Sequence, residues 1–95
     1  MNLPTAGQYY YHYKHTDQSI NNYAYRIVCV AKHRETLEDM VVYQPLYETE
    51  SNFWTRPANI WFDDIQTETY TGSRFTLITD QEIISQLNSK NQRLK

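Results

Sequence analysis

The feature that most constrains this chain is a pair of apolar runs separated by a polar knot. Tyr23 to Lys32 (YAYRIVCVAK) and Met40 to Tyr47 (MVVYQPLY) flank His33-Arg34-Glu35-Thr36-Leu37-Glu38-Asp39. Both runs are rich in β-branched and aromatic residues, which suit a pleated, half-buried surface. Being close in sequence, they pair most economically as an antiparallel hairpin with the knot as its connection. In the first run Tyr25, Ile27, Cys29 and Ala31 share one face, and Val28 and Val30 lie on the other. Apolar residues on both faces predict a central strand, with Cys29 as a buried, inert thiol. Pro45 cannot donate to a ladder, so it puts 40–47 at a sheet edge or a bulge.

The flanking sequence supplies further short elements. Gln8 to Lys14 (QYYYHYK) reads as a strand with Tyr9, Tyr11 and Tyr13 on one face and Tyr10, His12 and Lys14 on the other; the odd face is expected inward. Residues 15–22 read as a polar loop. Phe53 to Arg56 is a short strand, and Pro57 opens a helical turn through Asp63, because its preset φ suits a first helical position. Gln66 to Ser73 reads as a polar loop, and Arg74 to Ile78 as a closing strand. Thr79-Asp80-Gln81-Glu82 matches a capping box. It predicts a helix with Ile83, Ile84 and Leu87 packed inward, fraying beyond Asn88 into a basic end, Lys90 to Lys95, that complements the helix dipole.

Composition excludes several classes. One cysteine in 95 residues excludes an internal disulfide framework and fits a reducing compartment. No run approaches the roughly 18 apolar residues of a membrane helix, and residues 1–7 lack the basic and apolar regions of a signal peptide. The expectation is a soluble, cytoplasmic protein of one domain, 1–95. Residues 35–68 hold eight acids against Arg56 alone, a net of −7 within a chain of net charge −2. That is no footprint for duplex DNA. Gly7 and Gly72 cannot build a phosphate-cradling loop, so no cofactor is expected.

The segments HYK (12–14), VAKHRETLE (30–38), VVYQPLY (41–47), WTRP (54–57) and RF (74–75) occur in one order. Together they resemble the bacterial family called domain of unknown function 1653. Its pattern is matched by Tyr10, His12, Tyr13 and Lys14; by Ala31, His33, Thr36 and Glu38; and by Val41, Tyr43, Trp54, Arg56, Pro57, Arg74 and Phe75. His15 stands where that pattern has Gly. The resemblance spans 7–78, leaving 79–95 as a C-terminal helix and tail, and it implies a small, mostly β domain with no established reaction.

Three constellations carry chemistry. His12, His15, Cys29 and His33 are zinc-ligand types, but strand geometry points His12 and His15 to opposite faces and separates Cys29 from His33 by about 13 Å; no metal is expected. In the knot, His33 with Glu35 and Glu38 forms an acid/base set. The competing reading is a hairpin loop held by its own side chains, with Thr36 in a turn bond. Arg56 and Arg74, with Lys14 as a third cation, can form an anion site with aromatic walls. They can equally pair with Glu38, Asp63 or Asp64.

The expected fold is a bent antiparallel sheet or SH3-like barrel of about five strands with a C-terminal helix. The first functional expectation is a binding module whose groove uses Tyr13, Lys14, His33, Thr36, Glu38, Tyr43, Trp54, Arg56 and Arg74. Its partner would be a small anion, a peptide or single-stranded nucleic acid, with no membrane and at most a weak homodimer. The second is an interaction module taking a partner strand on the edge 40–47. The third is an enzyme using His33 with Glu35 or Glu38.

Overall fold

The computed structural model describes residues 3–90. Five strands form one antiparallel sheet: β1 (Tyr9–His12), β2 (Ala24–Lys32), β3 (Asp39–Pro45), β4 (Trp54–Pro57) and, after a short ribbon, β7 (Phe75–Ile78). Their order is β4-β3-β2-β1-β7. A single 3-10 turn, Ala58–Ile60, follows β4, and the ribbon pairs β5 (Asp64–Gln66) with β6 (Thr71–Ser73). The helix α1 (Gln81–Lys90) follows β7. The sheet curls into a half-barrel that brings its two edges toward each other. On the inner face the Arg56 guanidinium of β4 lies 5.5 Å from the ring centre of Phe75 on β7.

The β2–β3 hairpin is as the apolar runs dictate, with Tyr25 opposite Pro45 and Lys32 opposite Asp39. Three features of the sheet differ from expectation. Segment 40–47 is not an edge, because β4 pairs with β3 from Met40↔Pro57 to Tyr43↔Trp54. Pro45 is tolerated because it is the last residue of β3; the free edges belong to β4 and β7. Cys29 is exposed rather than buried. A register shift between Ile27 and Cys29 inserts an extra residue, so Cys29 faces Val42 while Val30 takes the place opposite core Val41. Strict alternation cannot anticipate such a bulge. Finally, the polar loop 66–73 contains half a ribbon. Thr67 closes its turn, accepting at Oγ1 from the Tyr70 N–H at 3.0 Å while its own N–H donates to the Tyr70 carbonyl.

The sheet is covered on both faces, so the three consecutive tyrosines of β1 divide between two cores. Tyr10 joins Tyr25, Ile27, Val41, Tyr43, Ala58, Trp61 and Phe75 inside the curl. Tyr9 joins Ala24, Leu46, Ile78 and Leu87 on the outer face, with Tyr11, Ile20, Ile83 and Ile84 against them. The inward odd face is therefore only half the answer: Tyr9 is buried on one side and Tyr10 on the other. The helix supplies the outer cover. Asp80 caps it, accepting from the Glu82 N–H at 2.9 Å, and Ile83, Ile84 and Leu87 recur at helical spacing on the packed side. Tyr9 also donates its hydroxyl to Asn88. The helix continues past Asn88 to Lys90; the basic end at 91–95 lies outside the described residues. Among the described residues no helix is long and apolar enough to cross a membrane.

Leu87 is fully buried between helix and sheet. Leu87→Ala is expected to destabilise the protein by about 2–5 kcal/mol, read as a lower urea midpoint at unchanged slope. A loss below about 0.5 kcal/mol would mean that the helix is not docked on the sheet.

Candidate functional site

The interior of the curl is built around the Phe75 ring. Trp61 stacks on it with centroids 4.0 Å apart and planes 3° from parallel. Tyr25 and Tyr43 meet it edge-on at 5.9 and 6.1 Å, and His12 does so at 5.1 Å. The register explains the convergence: His12 is directly opposite Phe75, while Arg56 arrives from the other edge of the sheet.

His12 is enclosed by rings. Besides Phe75, Tyr13 lies 4.5 Å away and Tyr23 5.7 Å away, centroid to centroid. Tyr23 holds this place with a positive φ of 52°, a costly conformation for a bulky residue. The Lys14 backbone N–H donates to His12 Nδ1 at 3.2 Å. In the neutral ring that leaves Nε2 carrying the hydrogen. Burial, then the charges of Arg74, Lys14 and Arg56, lower the His12 pKa to about 4. The three cations singled out from the sequence thus all act on one imidazole, which stays neutral at pH 7.

The two arginines are held by backbone structure rather than by acids. Arg56 is the β4 residue opposite Val41. Arg74 lies between β6 and β7; its N–H donates to the Asp63 carbonyl and its own carbonyl accepts from Tyr13 N–H, at 2.8 and 2.9 Å. Among the described residues Lys32 forms an ion pair with Asp39 and the His33 ring lies 3.7 Å from the Glu35 carboxylate, and neither guanidinium has an acid within such reach. Arg56 Nε, Arg74 Nε and Trp61 Nε1 are all buried without a hydrogen-bond partner. Each unpartnered buried donor costs about 1–3 kcal/mol, so three in one neighbourhood form a donor set that lacks an acceptor.

The other residues named from the sequence are distributed around this centre. Tyr13 stacks on Tyr70 at 5.5 Å. Tyr43 is buried, edge-on to Trp61 at 5.0 Å, behind the surface rather than on it. Trp54 sits one alternation from Arg56 on the same face of β4, and is 43% exposed. His33, Thr36 and Glu38 lie at the far end of the β2–β3 hairpin and bond mainly to one another. His33 Nδ1 accepts from the Glu35 and Thr36 N–H groups, both at 3.2 Å, which leaves it nothing to donate to the Glu35 carboxylate 3.7 Å away. Thr36 Oγ1 donates to Glu38 Oε1 at 3.2 Å, and Leu37 turns the loop with a φ of 63°. The spacing His-x-x-Thr-x-Glu therefore describes a self-bonded loop. Glu38 also borders a shallow cleft of about 110 Å³ with Leu3, Asp39, Ala58 and Asn59.

The zinc-ligand types do not gather. His15 stacks on Tyr11 at 3.7 Å and bonds through Nδ1 to the Asn22 carbonyl at 2.7 Å, on the side of the sheet away from His12. No three His, Cys, Asp or Glu side chains among the described residues come together as metal ligands would.

Sequence reasoning missed two members of the centre. Neither His12, which the sequence offers as a zinc-ligand type and as part of the family pattern, nor Trp61 is among the groove residues expected from the sequence. The signal for His12 was its alternation with Tyr10, which puts both on the inner face. Trp61 has no such signal, because its position depends on how the chain after β4 folds back over the sheet.

Residues 8–77 match the family described as protein of unknown function (DUF1653). The chain belongs to that family. A solved relative is the crystal structure of a DUF1653 protein from Bordetella bronchiseptica: 29% identical, TM-score 0.63, covering 79% of this chain and 87% of that one. No curated protein matches.

Stability should follow His12. Its folded pKa, about 4, lies below the ordinary 6.5, so between those values the unfolded chain binds more protons and stability falls as the pH is lowered. The urea midpoint of the wild type is expected to drop across that window, and His12→Gln to flatten the drop. Equal slopes in the two proteins would show that His12 is not held neutral.

Proposed function

We propose that this protein is a small binding module that takes an anionic ligand at the mouth of its half-barrel, with Arg56, Arg74 and Lys14 supplying the charge. The observation that carries this reading is a set of buried donors without an acceptor: Arg56 Nε, whose guanidinium lies over Phe75, Trp61 Nε1, in the ring stacked on Phe75, and Arg74 Nε, from the residue preceding Phe75. An acid of the same chain would have been the simplest partner for either arginine, and neither has one among the described residues. The setting favours a charged guest. Hydrogen bonds from a guanidinium to an anion are charge-assisted, and partial burial strengthens them by excluding solvent. Phe75 holds the Arg56 guanidinium over its face, which limits the side-chain entropy lost on binding. Neutral His12 adds an N–H without adding a charge that would repel the arginines.

Chemical-shift titration of labelled protein tests this, following the Arg Nε–H and Trp indole N–H signals. Inorganic phosphate, benzoate and adenosine monophosphate are the probes, with adenosine as the uncharged control. Saturable shifts centred on Arg56, Arg74 and Trp61 are expected with at least one anion and not with the control. Arg56→Ala should retain the folded spectrum and weaken binding about tenfold or more. If that variant loses its dispersed spectrum, Arg56 is a structural closure of the barrel and the binding reading falls.

A further inference from the structure

The number and placement of the cations narrow the ligand. A carboxylate is planar and is satisfied by two parallel N–H groups from one guanidinium. Here the cations come from three separate elements: Lys14 just after β1, Arg56 on β4 and Arg74 ahead of β7. Arg56 lies over the Phe75 ring, His12 is directly opposite Phe75 across the β1–β7 pairing, and the charges of all three cations bear on His12. Such an arrangement suits a tetrahedral group with oxygens pointing several ways. Three positive charges, with no acid paired to either arginine among the described residues, also suit a group of charge about −1.5 to −2 better than a monoanion.

A flat surface lies beside this charge. Trp54 precedes Arg56 by two residues on the same face of an edge strand, about 7 Å along it. Its cross-strand neighbour Tyr43 is buried, yet Trp54 itself is 43% exposed. No described ring stacks on it, whereas Tyr13, Tyr23, Tyr25, Tyr43, Tyr47 and Trp61 are all engaged in ring contacts. An exposed indole one strand alternation from a cation provides a platform for a ring tethered to an anion by a sugar-length linker.

We infer that the ligand is a phosphate monoester of a flat aromatic group, as in a nucleoside 5′-monophosphate. Its phosphate lies among Lys14, Arg56 and Arg74 and its ring lies on Trp54. This rests on the anion-binding reading above and specifies its ligand.

Calorimetric titration at low salt separates the two levels. The probes are adenosine monophosphate, inorganic phosphate, adenosine and benzoate. The expected result is that the monophosphate binds about tenfold or more tightly than inorganic phosphate, the increment of one stacked base, while adenosine and benzoate bind more weakly than either. Trp54→Ala should lower the affinity for the monophosphate to that for phosphate and leave phosphate affinity unchanged. Trp54 is exposed on an edge strand, so the variant keeps its fold, checked by its amide spectrum. Equal binding of phosphate and the monophosphate would overturn the inference, as would an unchanged monophosphate affinity in Trp54→Ala. Tighter binding of benzoate would overturn it too while leaving the anion site standing. Silence from every probe would remove both.

Discussion

The stack of Trp61 on Phe75 is the contact on which the rest of this structure depends. A five-stranded antiparallel sheet has two open edges and one face that must be covered. Here the turn after β4 brings Trp61 over the inner face and onto a ring from the opposite edge strand. Tyr10, Tyr25 and Tyr43 then pack edge-on around the pair. Edge-on and offset contacts are the favoured geometries of aromatic groups. They allow a core rich in tyrosine to close without the aliphatic bulk that a chain with mean hydropathy of −0.76 lacks.

That closure has a chemical consequence. Packing aromatics at the seam strips solvent from whatever polar groups share it. His12 is kept neutral, the Tyr25 hydroxyl is pushed far above its ordinary range by burial and by its 2.5 Å bond with Tyr47, and three N–H donors are left without partners. A seam designed only for stability would pair such donors internally or dispense with them. The unpartnered polar groups of this one are donors, two of them on cations, which is the ground for the anionic ligand proposed above.

Much of this was legible in the chain. The hairpin follows from apolar runs too short and too β-branched to be anything but strands, and the helix follows from the Thr79–Glu82 capping pattern and the spacing of Ile83, Ile84 and Leu87, although the cap that forms is Asp80 rather than Thr79. The family pattern itself marks His12, Arg56 and Phe75, which meet although they are up to 63 positions apart, and Lys14 and Arg74, whose charges bear on His12. Other features were not legible. The knot reads as an acid/base constellation because His, Thr and Glu are the same residues whether they do chemistry or tie a loop to itself. Only the direction of the bonds at His33 Nδ1 distinguishes the two uses.

Alternation, turn residues and caps by themselves determined that this chain makes short antiparallel strands and one terminal helix, because those signals act over a few neighbouring residues. Tertiary structure decided which face of each strand is the inside, where the sheet ends, and which cations come together. A single extra residue at the β2 bulge reverses inside and outside for everything after it, turning Cys29 to solvent and Val30 inward. The curl of the sheet sets Arg56 against Phe75 from the far edge. Both effects depend on pairing between distant segments, and nothing in the local pattern of either segment encodes its partner.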